Sequence, residues 1–288
     1  MSLQSADGPI FPPEIERHIF EICALGRPVV VPRLILVAWR VKQWIEPLLY
    51  RTIVLGPEHS PTDGYPTFTP EALLSAIHTK PPGFIATAVR NLGIYDSTTA
   101  GYEEILAACT GVTNLRILSF DTAFSAHIPS TLTELYVYDF PHQSAHSLFS
   151  QLTHLDVMGY SVPELDLDTF CSSVALLPSV THVSFSDPFY APILHRLLRA
   201  CPKIEVLFYC DGEEDPLPEK ESLAEDPRFV VICFSDLTTW DWDADWHLGV
   251  HCGRDYWYRA ERFIQKRRRG EVDRRQSAMS REDWLDCA

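Results

Sequence analysis

The sequence predicts an α/β solenoid, an irregular stack of strand–helix repeats with parallel strands on a concave face and helices outside, preceded by a helical hairpin. Three observations predict it. One six-residue apolar pattern recurs seven times, the segments between the copies carry helix-start signals, and residues 10–50 show a helical periodicity of their own.

The recurring pattern is apolar-x-x-apolar-x-apolar. It appears at Val89-Leu92-Ile94, Leu115-Leu118-Phe120, Leu132-Leu135-Val137, Leu152-Leu155-Val157, Val180-Val183-Phe185, Ile204-Leu207-Tyr209 and Phe229-Ile232-Phe234. The central residues are 26, 17, 20, 28, 24 and 25 positions apart, the spacing of leucine-rich repeats. The last two apolar positions of each copy lie two apart, so they share one face of a strand. A single repeat cannot bury its apolar face, so neighbours must stack.

Helices are expected between the strands. Thr69-Pro70-Glu71 supplies a cap residue and a proline at the first helical position, followed by Leu73, Leu74 and Ile77. Tyr102 to Cys109, Asp168 to Leu177, Pro192 to Ala200 and Glu219 to Glu225 are the other clear cases, and Pro178, Pro202 and Pro227 stand just beyond three of them. One element of the repeat is missing. Standard repeats carry an asparagine three residues after the last apolar position, and here those positions are Ser97, Ala123, Phe140, Tyr160, Pro188, Gly212 and Leu237. The turns must then be irregular and satisfied by backbone or water.

In the N-terminal segment, Ile15, Ile19, Ile22 and Cys23 form an apolar stripe after Phe11-Pro12-Pro13. A second helix carries Leu34, Val37, Val41, Trp44 and Leu48, with Pro47 expected to end or kink it near Glu46. Two helices this apolar cannot bury both faces against each other, so one face needs a partner. The expected boundaries are a flexible N-terminus over 1–9, the hairpin over 10–50, the solenoid over 51–239, an aromatic cap with a basic helix over 240–270, and a flexible tail over 271–288.

Composition narrows the function classes. Apolar residues make up 46% and charged residues 22% of the 288 positions, as in ordinary globular proteins. No run approaches the ~20 apolar residues of a membrane-spanning helix, and no signal segment is evident, so a location inside the cell is expected, cytoplasmic or nuclear. The eight cysteines include no Cys-x-x-Cys pair, which favours buried free thiols. The net charge of -15 argues against nucleic-acid binding. It is uneven: residues 205–226 hold nine acids and one base, and residues 254–275 hold nine bases and four acids. The run Asp211-Gly212-Glu213-Glu214-Asp215-Pro216 reads as a solvated loop, or else as a substrate-specific acidic lip. The cluster Lys266-Arg267-Arg268-Arg269 reads either as a nuclear signal or acidic-partner patch, or as last-turn cations complementing a helix dipole.

The residues flanking the last two apolar positions of each copy should point into the concave face. Candidate target-binding residues there are Tyr95, Tyr136, Tyr138, His154, Asp156, His182 and Phe208. Trp240, Trp242, Trp246, Tyr256, Trp257 and Tyr258 are expected to seal the open end of the stack. His247-x-x-x-His251-Cys252 lacks a second ligand pair at suitable spacing, and no metal or other cofactor is expected. No nucleophile elbow, phosphate-binding glycine loop, dinucleotide fingerprint or His-Glu-x-x-His occurs, so an interaction module is expected and not an enzyme.

Phe11-Pro12-Pro13-Glu14-Ile15 through Ile19-Phe20 resembles the Leu-Pro-x-Glu-Ile and Ile-Phe of the F-box family. Leu36-Val37-Ala38 through Lys42-Gln43-Trp44 resembles that family's Leu-Val-Cys-Lys-x-Trp. The run Ile45 to Arg51, and Asp255 to Ile264 near the other end, are similar to F-box-like proteins of mushroom-forming fungi. The resemblance implies a substrate-receptor subunit, whose hairpin docks on a Skp-type adaptor of a cullin ubiquitin ligase while the repeats hold a target protein. Carried over by position, the adaptor-facing residues are Pro12, Glu14, Ile15, Ile19, Phe20, Leu36, Val37 and Trp44. The alternative is a scaffold outside any ligase, in which the hairpin only caps the first repeat.

Overall fold

The structure is a computed structural model that describes residues 11–56, 68–95, 101–118, 125–138, 140, 149–158, 167–186, 193–211, 220–233 and 241–287. The expected N-terminal segment 1–9, most of the acidic run 211–216, and Trp240 lie outside them.

Helix α1 (Pro13–Gly26) opens with proline at its first position, where no amide hydrogen is missed. A short 3-10 turn (Pro28–Val30) and α2 (Val31–Leu34) precede α3 (Trp39–Leu49). The second helix expected from Leu34 onward is therefore broken at 35–38, where Ala38 adopts an extended conformation. Pro47 does not stop α3. It sits in the last turn, and the helix ends two residues later without a long run of lost bonds.

Strand β1 (Thr52–Leu55) follows α3 almost directly. Then come α4 (Pro70–Thr79), α5 (Phe84–Ala88), β2 (Asn91–Ile94), α6 (Tyr102–Ala108), β3 (Asn114–Ile117), β4 (Glu134–Val137) and β5 (His154–Val157). After these come α7 (Leu167–Leu176), β6 (His182–Phe185), α8 (Leu194–Ala200), β7 (Val206–Asp211), α9 (Lys220–Leu223) and β8 (Phe229–Cys233). The strands form one eight-stranded sheet in chain order, and every neighbouring pair is parallel. Thr69 caps α4 as its position before proline requires, accepting from the Ala72 amide at 3.2 Å.

One face of the sheet packs on the connecting helices. Leu92, Ile94, Leu135, Val137, Leu155, Val157, Val183, Phe185, Leu207 and Tyr209 join Ile105, Phe170, Val174, Leu194 and Leu197 in one core. Five of the seven expected patterns thus carry the right inward pair. The other two shift by three residues. In β3 the inward pair is Leu115 and Ile117, in register with Leu92 and Ile94, while Leu118 lies just past the strand. In β8 Phe229 and Val231 face the helices, whereas Ile232 faces the other way. In β3, Val112-Leu115-Ile117 fits the pattern three residues before the expected copy, and β8 lies in an unbroken apolar run from Phe229 to Phe234 that marks no face by alternation.

The register is held where the chain enters each strand. Arg51, Arg90, Thr113, Thr133, Thr153 and Thr181 stand just before β1 to β6, and each carbonyl accepts two amide hydrogens from the next repeat. Thr113 O, for example, accepts from Thr133 N at 2.8 Å and Glu134 N at 3.0 Å. It accepts the Thr133 hydroxyl as well, at 2.9 Å, and Thr153 repeats that bond to Thr133 O at 3.0 Å. A threonine ladder thus ties the repeats together in a chain nearly without asparagine.

The second face is also covered. Helices α10 (Trp242–Cys252) and α11 (Tyr256–Arg269) lie across it, and α12 (Arg281–Asp286) follows. Met158, Val206, Phe208, Cys210, Val230 and Ile232 pack there against Trp246, Tyr256, Trp257, Phe263, Ile264, Met279 and Trp284. The aromatic stretch expected to seal the end of the stack instead roofs the sheet, because its rings match an apolar face far larger than one strand edge. The tail expected to be flexible is ordered. Val231 N donates to Ser277 O and Met279 N to Val231 O, both at 2.9 Å, pairing the last strand's free edge. A capping box of Ser280 and Asp283 then starts α12, and Cys287 is fully buried. The result is three layers, helices on both faces of a parallel sheet. Among the described residues no helix is long and apolar enough to cross a membrane.

Candidate interaction surfaces

All seven residues expected on the concave face do point away from the connecting helices, and all seven are covered by the C-terminal segment. Tyr95 donates its hydroxyl to Asp243 at 2.7 Å, and the Arg116 guanidinium lies 4.8 Å over its ring. Tyr136 accepts from the Trp257 indole at 3.2 Å, and Tyr138 packs at the edge of the same cluster. Asp156 accepts from Tyr256 at 2.8 Å, and the Phe208 ring lies 4.9 Å from that of Tyr256. His154 stacks on His182 at 4.1 Å, both edge-on to Trp257, and His182 meets Glu261 at 2.9 Å. These side chains were expected to hold a target protein; they hold the chain's own α10 and α11. The signal missed is complementarity within the sequence, between a row of polar and aromatic strand residues and a Trp- and Tyr-rich segment downstream.

The contacts follow chain order. Strand β3 bonds to α10, through Arg116 to Asp243 at 2.6 Å and Trp246 to Asn114 at 2.8 Å, as does Tyr95 one residue past β2, while β4 to β6 bond to α11. Most of this layer is buried, and the ionisable groups respond. Burial raises Asp156 to about 6 against the pull of its Tyr256 hydrogen bond. Burial, then the fields of Asp245 and Glu134, raises Asp255 to about 7. Burial lowers His154 to about 3, with the neighbouring His182 adding to it. Arg259 offsets part of the acidity, pairing with Asp245 at 2.5 Å and lying 4.4 Å over the Trp284 ring.

His247 and His251 stack at 6.1 Å on α10, and burial lowers His251 to about 4. Among the described residues no group of three or more His, Cys, Asp or Glu side chains gathers as a metal set. Of the cysteines, Cys109, Cys171, Cys201, Cys210 and Cys287 are buried thiols, while Cys23 and Cys252 are exposed.

The hairpin contrasts with the filled sheet face. Ala24, Val31, Val41 and Ile45 form a small core of their own, and Phe20 and Trp44 pack against it. These two, expected to face an adaptor, are half-buried against the hairpin core. Glu16 and Arg40 clamp α1 to α3 with bonds of 2.7 and 3.0 Å. The remaining candidates stay outside: Pro12 and Glu14 are exposed, as are Ile15 (49%), Ile19, Leu36 (81%) and Val37 (64%). Phe11, Ile22, Leu25, Val29 and Trp39 (70%) are exposed beside them in sequence and extend the candidate surface. Among the described residues, all the exposed large apolar side chains except Leu176 and Leu285 belong to residues 11–39. The Ile15-Ile19-Ile22 stripe, of which Ile15 and Ile19 were expected to face an adaptor, lies exposed along α1. The face turned inward is the Phe20-Ala24 edge.

No protein-family model matches this chain, and a search of curated proteins finds no match.

Proposed function

We propose that the chain is a non-enzymatic substrate-receptor subunit of a cullin-type ubiquitin ligase, an F-box-like hairpin joined to an irregular leucine-rich-repeat solenoid. The observation that carries this reading is the concentration of exposed apolar side chains on the hairpin, at Ile15, Ile19, Leu36 and Val37 among the positions that resemble the F-box. Large apolar patches on an otherwise ordinary surface mark protein interfaces, and each such side chain contributes roughly 1.5–3 kcal/mol when fully buried. A Skp-type adaptor is the partner the resemblance implies. The target would be met by a surface other than the sheet face, which α10 and α11 occupy.

The second reading, a scaffold whose hairpin only caps the repeats, has its own support. Helix α3 runs into β1 almost without a linker, Lys80 pairs with Glu46 at 2.7 Å, and Tyr50 packs on Phe68 and Phe84 at 5.4 Å. These contacts use the C-terminal half of α3. They leave the Ile15-Ile19 stripe uncovered, so capping accounts for one side of the hairpin and docking for the other. Co-purification with a recombinant Skp-type adaptor tests the choice. The intact chain should retain the adaptor and an Ile15→Asp/Leu36→Asp variant should lose it while melting at the same temperature. An intact, folded chain that retains no adaptor sinks the ligase reading.

A further inference from the structure

The four cations that end α11 do not share one role. Lys266 pairs with Asp286, and Arg269 lies 3.8 Å from Glu271. Arg267 is 1% exposed and donates to backbone carbonyls, those of Phe229 at 2.8 Å, Ala224 at 3.0 Å and Arg274 at 2.7 Å. Its charge is held by dipoles, with no carboxylate bonded to it among the described residues. Arg268 has no carboxylate partner among the described residues either, and neither does Arg274, which lies beyond the helix.

Arg267, Arg268 and Arg274 line one pocket of about 330 Å³ together with Glu225 and Pro227. That is the lower end of small-ligand pocket volumes. The walls are tied down: Arg267 links the turn before β8 to the loop at Arg274. Asp226 is taken by Arg228, at 2.7 and 2.9 Å. Its field and that of Asp273 reach Arg267 without a direct bond, and the charged residues that line the pocket are three arginines and one glutamate on a chain of net charge -15. The helix dipole does not account for the arrangement. The amides of Gly270 and Glu271 already bond the carbonyls of Arg267 and Lys266, and Arg274 is not in the helix.

We propose that this pocket binds an anionic group of phosphate or carboxylate type, with Arg268 and Arg274 donating to it and buried Arg267 supplying positive field from behind. Guanidinium groups suit such oxyanions because their donors pair with two oxygens at once. Glu225 opposes the anion and weakens the site. The proposal does not rest on adaptor docking.

Calorimetric titration of the full chain with inorganic phosphate, against chloride at matched ionic strength, tests it. The expected result is saturable one-site binding that weakens about tenfold for each arginine removed in Arg268→Gln and Arg274→Gln, and tightens in Glu225→Gln. All three positions are exposed, so the variants should melt with the wild type. A phosphoserine peptide titrated in parallel separates the sources. Tighter binding than inorganic phosphate assigns the anion to a partner's side chain, and equal binding assigns it to a free ion. Absence of saturable phosphate binding, or equal affinity in the double arginine variant, overturns the proposal.

Discussion

Tyr256 donates its hydroxyl to Asp156 at 2.8 Å, with both side chains enclosed between β5 and α11. This bond joins residues a hundred positions apart and shows that the C-terminal helices form a structural layer. Tyr256→Phe leaves a buried carboxyl without its donor and should cost about 1–3 kcal/mol in urea unfolding. A loss below about 0.5 kcal/mol would mean that α11 is only loosely seated.

The same layer gives stability a pH dependence. Asp255 has its folded pKa raised to about 7, above the ordinary carboxyl value. Its contribution is therefore complete below about pH 4 and is lost as pH rises through 7. Asp255→Asn keeps the helix cap, since asparagine caps as well as aspartate. The variant should match the wild type near pH 4 and exceed it at pH 8, by no more than about 4 kcal/mol. Parallel pH series of melting temperature check this, and equal profiles would contradict it.

Removing residues 271–288 should destabilise the whole chain, because it strips Ser277 and Met279 from the β8 edge and Trp284 from its cluster. Trp284→Ala alone should cost about 3–5 kcal/mol. A truncated chain that melts with the wild type would restore the flexible-tail reading.

The register of β3 separates two leucines three residues apart. Leu115 is fully buried among the connecting helices and Leu118 is half-buried beyond the strand. Leu115→Ala should cost about 2–5 kcal/mol and Leu118→Ala under about 1 kcal/mol. The reverse order would place the repeat in the register expected from the apolar pattern alone.

The parallel sheet was legible because Leu135, Leu155 and Val183 recur between neighbours with polar groups, which leaves one register, while Leu207, between Val206 and Phe208, is placed by the repeat spacing. The apolar pattern failed at Leu118, because Val112-Leu115-Ile117 fits it three residues earlier, and at Ile232, which lies inside the unbroken apolar run Phe229 to Phe234. Thr113, Thr133, Thr153 and Thr181, each two residues before the first inward apolar position, carry the register that the apolar residues leave ambiguous. The filling of the sheet face was not legible, since outward strand residues look alike whether they meet solvent, a target or the chain's own helix. In the hairpin, Ile15 and Ile19, read as partner-facing, are exposed, whereas Phe20, read the same way, packs on the hairpin's own core, because an amphipathic stripe shows that a face is apolar and not what covers each residue on it.

The central claim is that binding belongs to the hairpin and that the sheet face is closed. Hydrogen–deuterium exchange of the full chain, alone and with saturating Skp-type adaptor, tests it most directly. The expected result is slowed exchange across α1 and residues 31–39 with α10 and α11 unchanged and already well protected. Unchanged exchange over residues 13–39, or fast exchange in α10 and α11 of the free chain, would contradict it.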